Sequence, residues 1–226
     1  DPGGLRHHFS HVSDLAPTLL EVAGIKSHEQ MTGQSFLPQL LAKETGRIDA
    51  TRDHTVLGKE RHDIGRTDGE LLSVGYPARA IRTDDFLYVR NFKPDRWPGG
   101  NPEYGLLNCD GSPTKQYLTN LPSNHDEYPF YLLSFGKRPG EELYDMKADP
   151  DCVHNLAGSP MYAELKGELW SRLEKRLTEQ EDPRILGGGD IFDAYPNCRI
   201  KRQQELYKRP EWDPLKRFEQ EYGKGE

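Results

Sequence analysis

Two runs of strict alternation meet at an acidic turn in Tyr76-Pro-Ala-Arg-Ala-Ile-Arg-Thr-Asp-Asp-Phe-Leu-Tyr-Val-Arg-Asn-Phe92. Before the turn, Ala78, Ala80 and Arg82 share one face and Arg79, Ile81 and Thr83 the other. After it, Phe86, Tyr88, Arg90 and Phe92 alternate with Leu87, Val89 and Asn91. Period-2 runs joined at a short Asp84-Asp85 link specify an antiparallel hairpin. Its β-branched and aromatic side chains suit a pleated surface. Pro77 fits the first residue of a strand, where no ladder donor is lost. The hairpin is expected at the middle of a small antiparallel sheet.

The flanking segments supply elements to pack on it. Near 14–24, Leu15, Leu19 and Val22 fall on one helical face, with Ser13 or Asp14 as cap, Pro17 in the first turn and Gly24 as the left-handed stop. Asp14 reads as a cap or first-turn carboxylate favoured by the helix dipole. A second short helix near 35–42 takes Ser35 as cap, and 43–53 reads as a surface connection. His54–Glu60 reads as a short strand, and a further strand is expected at the start of 141–157, with a tight turn at Asp149-Pro150. Ser159-Pro160 opens the longest helix, whose Leu165, Leu169, Leu173 and Leu177 recur every four residues. Between 93 and 140 the sequence is poorly periodic and rich in Pro, Gly, Asn and Tyr, with a short helix expected from Ser112 through Leu118. Leu186-Gly-Gly-Gly-Asp190 reads as a joint leading into a charged tail.

Composition excludes some functions. Only 34% of the 226 residues are hydrophobic and the net charge is −7, which argues against a nucleic-acid binder. A local basic cluster can still hold a small anion. Cys109, Cys152 and Cys198 are odd in number and lack metal-ligand spacing, so they read as free thiols. No apolar run is long enough to span a membrane, and no signal segment stands at the start.

No self-contained catalytic constellation is present in the sequence: no nucleophile elbow, no His pair with metal spacing, no phosphate-cradling glycine loop. What remains is a charged cluster. Lys59, Glu60, Arg61 and His62 sit at a strand end, and Arg79 follows Tyr76-Pro-Ala. Cations so placed can bind an anionic group by charge-assisted hydrogen bonds, Arg in a bidentate fork. On composition alone a solvated charged turn is the favoured reading.

Four stretches, taken in order over roughly residues 11–185, resemble the C-terminal part of a sulfatase of the alkaline-phosphatase-like superfamily. They are Asp14-Leu-Ala-Pro-Thr-Leu-Leu-Glu-Val-Ala-Gly24, Gly33-Gln-Ser-Phe-Leu-Pro-Gln-Leu40, the hairpin, and Glu141-Glu-Leu-Tyr-Asp-Met through Asn155-Leu-Ala157. Val56-Leu-Gly with His62, then Tyr76-Pro-Ala-Arg79, is most similar to the sulfamidase (heparan N-sulfatase) branch. Cys152 stands where the family usually has an acidic residue. The Cys-x-Pro-Ser-Arg segment that matures to formylglycine has no match, nor do the family's calcium-binding aspartates.

The resemblance implies an α+β fold: about four antiparallel strands packed on one long C-terminal helix, preceded by the edge of a truncated α/β domain. Residues 1–53 would be the remnant of that catalytic domain, 54–185 the C-terminal subdomain, and 186–226 a flexible charged tail. It further implies hydrolysis of sulfate esters or N-sulfate groups of a sulfated small molecule or saccharide. The Ca²⁺ ion and the formylglycine nucleophile would be supplied by a missing N-terminal catalytic region. The expected substrate-binding set is Lys59, Glu60, Arg61, His62 and Arg79. Export to a periplasm or outside the cell follows by family analogy. Two alternatives are a phosphodiesterase or phosphonate hydrolase of the same superfamily and a non-catalytic module that binds sulfated glycans.

Overall fold

The computed structural model describes residue 5 and residues 7–62, 65–68 and 71–194. The charged tail expected over 199–226 lies outside the described residues. In chain order the elements are α1 (Leu15–Val22), α2 (Leu37–Leu41), β1 (His54–Lys59), β2 (Thr67–Asp68) and β3 (Leu71–Leu72). There follow β4 (Ala78–Thr83), β5 (Phe86–Asn91), α3 (Pro113–Thr119), α4 (Tyr128–Phe135), β6 (Glu141–Asp145), α5 (Ala163–Glu179) and α6 (Ile191–Ala194).

The hairpin is β4–β5, and it occupies the centre of a four-stranded antiparallel sheet of order β1-β4-β5-β6. Thr83 closes its turn: the Phe86 amide donates to the Thr83 hydroxyl at 3.1 Å, and the hydroxyl donates back to the Phe86 carbonyl at 3.2 Å. The small second sheet pairs β2 with β3 antiparallel, Thr67 opposite Leu72 and Asp68 opposite Leu71. The architecture is therefore α+β, with the expected sheet and the expected long helix.

The chain clusters into two compact units, and the strands contribute residues to both. The first comprises residues 1–57, 80–88 and 143–181. Its core is Ile81, Tyr88 and Leu143 from the strands against Leu169, Leu173 and Leu177 of α5, all buried. The leucine stripe thus does what its i+4 spacing predicts. Tyr88 meets Trp170 edge-on, with ring centroids 6.3 Å apart.

Asp14 organises the entry to this unit. It does not cap α1 with its side chain, and the capping expected of Ser13 or Asp14 falls to His11. That residue caps a 3₁₀ turn, Val12–Asp14, through a reciprocal box in which Ser13 N–H reaches the His11 ring and His11 N–H reaches Asp14. Asp14 is buried and also accepts from the Gln34 amide at 2.9 Å and from Arg52 Nη1 at 2.9 Å. Arg52 in turn donates to the Gln34 and Ser35 carbonyls at 2.8 and 3.0 Å. Burial pushes the Asp14 carboxyl up, but these amides and the guanidinium outweigh it and hold the pKa below the usual range. Thus an aspartate that reads as a helix cap ties three stretches of backbone together. The Leu15–Leu19–Val22 face of α1 stays exposed at 49%, 67% and 63%, and the buried residues of α1 are Pro17 and Thr18.

The second unit comprises residues 58–79, 89–142 and 182–226, so far as these are described. Val74, Tyr76, Leu106 and Phe135 form its apolar centre beside a fully buried Arg66. The 93–140 region is partly helical, with Ser112 capping α3 through the Lys115 amide at 3.0 Å, as its sequence predicts. Helix α4 was not anticipated. Its sequence, Tyr-Pro-Phe-Tyr-Leu-Leu-Ser-Phe, is apolar on all sides and carries no 3.6-residue period.

Candidate functional site: an acid–arginine network at the ends of two strands

Strand β1 ends at Lys59, so Glu60, Arg61 and His62 leave the sheet beside the start of its neighbour β4, where Arg79 stands. Gly58 makes room for the Arg79 side chain: a β-carbon there would lie 3.3 Å from Arg79 Cδ. The guanidinium passes across and donates from Nη1 to the Lys59 carbonyl at 3.1 Å and the Ala78 carbonyl at 3.0 Å. Its other edge forms a fork with Asp182, Nε to Oδ2 at 2.6 Å and Nη2 to Oδ1 at 3.1 Å.

Glu60 joins the same cluster. It lies 3.9 Å from Arg79 Nη1 and accepts from Arg184 Nε at 2.6 and 3.2 Å. Arg184 reaches on to Asp190 at 3.0 Å, and Lys93 sits 3.0 Å from the same carboxylate. Burial raises the Glu60 carboxyl above its ordinary value although both arginines pull it down. The Asp190 carboxyl is held low by hydrogen bonds from Lys93 and Arg184. Arg61 turns to the Phe192 carbonyl at 3.0 Å and the Ser73 hydroxyl at 3.3 Å.

One more arginine completes the pattern. Arg96 donates to Asp193 at 2.8 Å, Asp68 at 2.9 Å and the Gly75 carbonyl at 3.0 Å, while Gly75 N–H donates to Asp193 at 2.7 Å. A β-carbon at Gly75 would meet the Glu60 carbonyl at 2.9 Å, so glycine permits this close backbone approach. Asp182, Asp190 and Asp193 are the residues that sequence reasoning missed. They lie in a charge-rich stretch without periodicity, and only their distances to Arg79, Arg184 and Arg96 reveal them.

The structure therefore brings Glu60 and Arg79 together, places Arg61 against backbone, and leaves His62 exposed. Arg79 and Arg184 face Glu60 and Asp182, two positive charges against two negative ones, so this part of the cluster is internally neutralised. Lys59 is different. Its Nζ donates to the Pro98 carbonyl at 3.1 Å and lies 5.8 Å from the Tyr76 ring centroid, with no carboxylate partner among the described residues.

Among the described residues no group of three His, Cys, Asp or Glu side chains could hold a metal ion, and no helix is long and apolar enough to cross a membrane. Neither Cys109 nor Cys152 stands in the sequence that formylglycine formation requires. Among the described residues nothing fits the calcium or the formylglycine nucleophile that the sequence resemblance implies.

No protein-family model matches the chain. An ulvan-active sulfatase of Formosa agariphila is 34% identical over 183 residues, 80% of this chain and 31% of that protein. A second ulvan-active sulfatase of the same organism is 33% identical over 188 residues, 81% of this chain and 28% of its own length. The human N-sulphoglucosamine sulphohydrolase is 28% identical over 202 residues, 82% of this chain and 36% of the enzyme. The phosphonate monoester hydrolase of Agrobacterium radiobacter superposes with a TM-score of 0.45 at 18% identity, over 76% of this chain and 26% of that one. The partial coverage fits the C-terminal part of a sulfatase. The chain is similar to the C-terminal part of sulfatases, and it spans about a third of the length of those it matches.

Proposed function

We propose that the chain serves a sulfatase that hydrolyses sulfate esters or N-sulfate groups of a sulfated saccharide. The observation that carries this reading is 34% identity over 80% of the chain to an ulvan-active sulfatase. The match to the human N-sulphoglucosamine sulphohydrolase supports a sulfated sugar as the substrate class. Hydrated formylglycine and Ca²⁺ would both be held in the two thirds of the relatives that this chain does not span, so the 226 residues alone are inactive. Such a protein would act in a periplasm or outside the cell.

Within that protein, Lys59, Glu60, Arg61, His62 and Arg79 form the substrate-facing edge of this segment. Lys59 and His62, both exposed, would meet the anionic substrate. Glu60, Arg61 and Arg79 hold the edge in shape through Arg184, Ser73 and Asp182.

The test is sulfate release. The chain produced together with its upstream coding sequence, in a host able to form formylglycine, should liberate sulfate from N-sulphoglucosamine or from ulvan oligosaccharides. The isolated chain should not, even with calcium. A longer protein that cleaves a phosphonate monoester and releases no sulfate would replace this reading with the phosphonate hydrolase one.

A further inference from the structure

Away from the neutralised network, three cations of the second unit have no ion-pair partner among the described residues. Arg66 is fully buried, yet its donors go only to backbone carbonyls: Trp97 at 2.5 Å, Pro98 at 2.8 Å and Val74 at 3.2 Å. Lys59 donates to the same Pro98 oxygen at 3.1 Å. Both cations lie over the Tyr76 ring, at 5.8 Å for Lys59 and 5.6 Å for Arg66. Lys137 stands 5.3 Å from the centroid of the adjacent Trp97 ring and is exposed.

Two like charges on one carbonyl repel each other. Burial, with the nearby Arg96 charge, brings Arg66 down to about 10, and partial desolvation of the ammonium of the otherwise exposed Lys59, with the Arg66 charge, lowers Lys59 as well. The π face of Tyr76 and three carbonyl dipoles compensate only in part. In a chain of net charge −7, with every other arginine of the network matched to acid or backbone, this is a local positive excess beside a half-exposed indole. An aromatic surface flanked by unpaired cations suits a ring that is apolar on its C–H face and anionic at its edge.

We propose that Lys59, Lys137 and the Trp97 indole form a binding subsite for a sulfated sugar residue, with buried Arg66 adding charge from the interior. The proposal rests on the sulfatase reading for its choice of sugar. It assigns that role to Trp97, Lys137 and Arg66, which nothing in the sequence singled out. Sulfate oxygens would accept from the two ammonium groups, and the indole would carry the ring.

Titration of the 226-residue chain, followed by tryptophan fluorescence, tests it with N-sulphoglucosamine, N-acetylglucosamine and inorganic sulfate. N-sulphoglucosamine should bind saturably, N-acetylglucosamine should not at the same concentrations, and sulfate should bind at least about tenfold more weakly. Lys59→Met and Lys137→Met should each weaken N-sulphoglucosamine by about tenfold, the scale of one charge-assisted hydrogen bond, with unchanged melting temperatures. Lys175→Met on α5 should change nothing. Absence of saturable binding, sulfate binding as well as the sugar, or equal loss in the Lys175 variant would overturn the subsite. Binding that survives while the longer protein releases no sulfate would overturn the sulfatase reading and leave the subsite standing.

Discussion

Arg79 and Asp182 are 103 residues apart in the chain and meet as a two-bonded fork, 2.6 and 3.1 Å long. Arg79 is 7% exposed, and its remaining contacts are to the Lys59 and Ala78 carbonyls, with Glu60 3.9 Å from Nη1. Removing one member of a buried pair strands the other charge, which typically costs about 3–5 kcal/mol. Asp182→Asn should therefore lower the urea midpoint by that equivalent. Arg79→Lys should fall between wild type and Asp182→Asn, because an ammonium cannot reproduce the planar fork. A midpoint for Asp182→Asn within about 1 kcal/mol of wild type would mean that the network does not hold the strand ends.

The acid limit of the first unit should be set in part by Asp14. Its pKa is depressed in the folded state, so the stability it contributes is complete above the unfolded value of 3.8 and is lost as pH falls through the folded one. Asp14→Asn removes the charge that Arg52 faces at 2.9 Å and should be markedly less stable at pH 6. The gap between variant and wild type should narrow below about pH 3.8. Unfolding curves taken from pH 6 to pH 2.5 check this, and a gap that stays constant across the range would remove Asp14–Arg52 as its cause.

The apolar face of α1 gives a prediction of the opposite kind. Leu15, Leu19 and Val22 are more than two-fifths exposed, so Leu19→Gln should leave stability within about 0.5 kcal/mol, as surface substitutions do. It should reduce aggregation of the isolated chain, since exposed apolar patches drive association. Hydrogen exchange should find amides 15–23 less protected than amides 165–177, where Leu169, Leu173 and Leu177 are buried. Equal protection, together with a destabilised Leu19→Gln variant, would show that the helix face is covered after all.

These contrasts separate what the sequence makes legible from what it hides. The hairpin and the leucine stripe announce themselves because a period of two or of four residues maps directly onto a face. Glu60, Arg61 and Arg79 were legible as a charged cluster but not as a neutralised one, because their partners Asp182, Phe192 and Ser73 are set by the tertiary path. Asp14 was legible as a carboxylate near a helix start, whereas its debt to Arg52 and Gln34 spans tens of residues. Helix α4 was hidden for a local reason, having no polar face to reveal its period.

Tyr76 supports the last prediction. Its side chain is 3% exposed, and its hydroxyl is buried without a hydrogen-bond partner. Burial, reinforced by the charge of Glu142, pushes the phenol up to about 12. A buried hydroxyl left unpaired typically costs about 1–3 kcal/mol, whereas the ring itself packs in the core. Tyr76→Phe keeps the ring that Lys59 and Arg66 lie over and removes only the oxygen. The variant should therefore be at least as stable as wild type, by up to about 1–3 kcal/mol, and should bind N-sulphoglucosamine unchanged. Thermal melting decides the first point and the fluorescence titration the second. A Tyr76→Phe protein that melts several degrees lower would show that the hydroxyl has a partner in solution, and weakened sugar binding would make that hydroxyl part of the subsite.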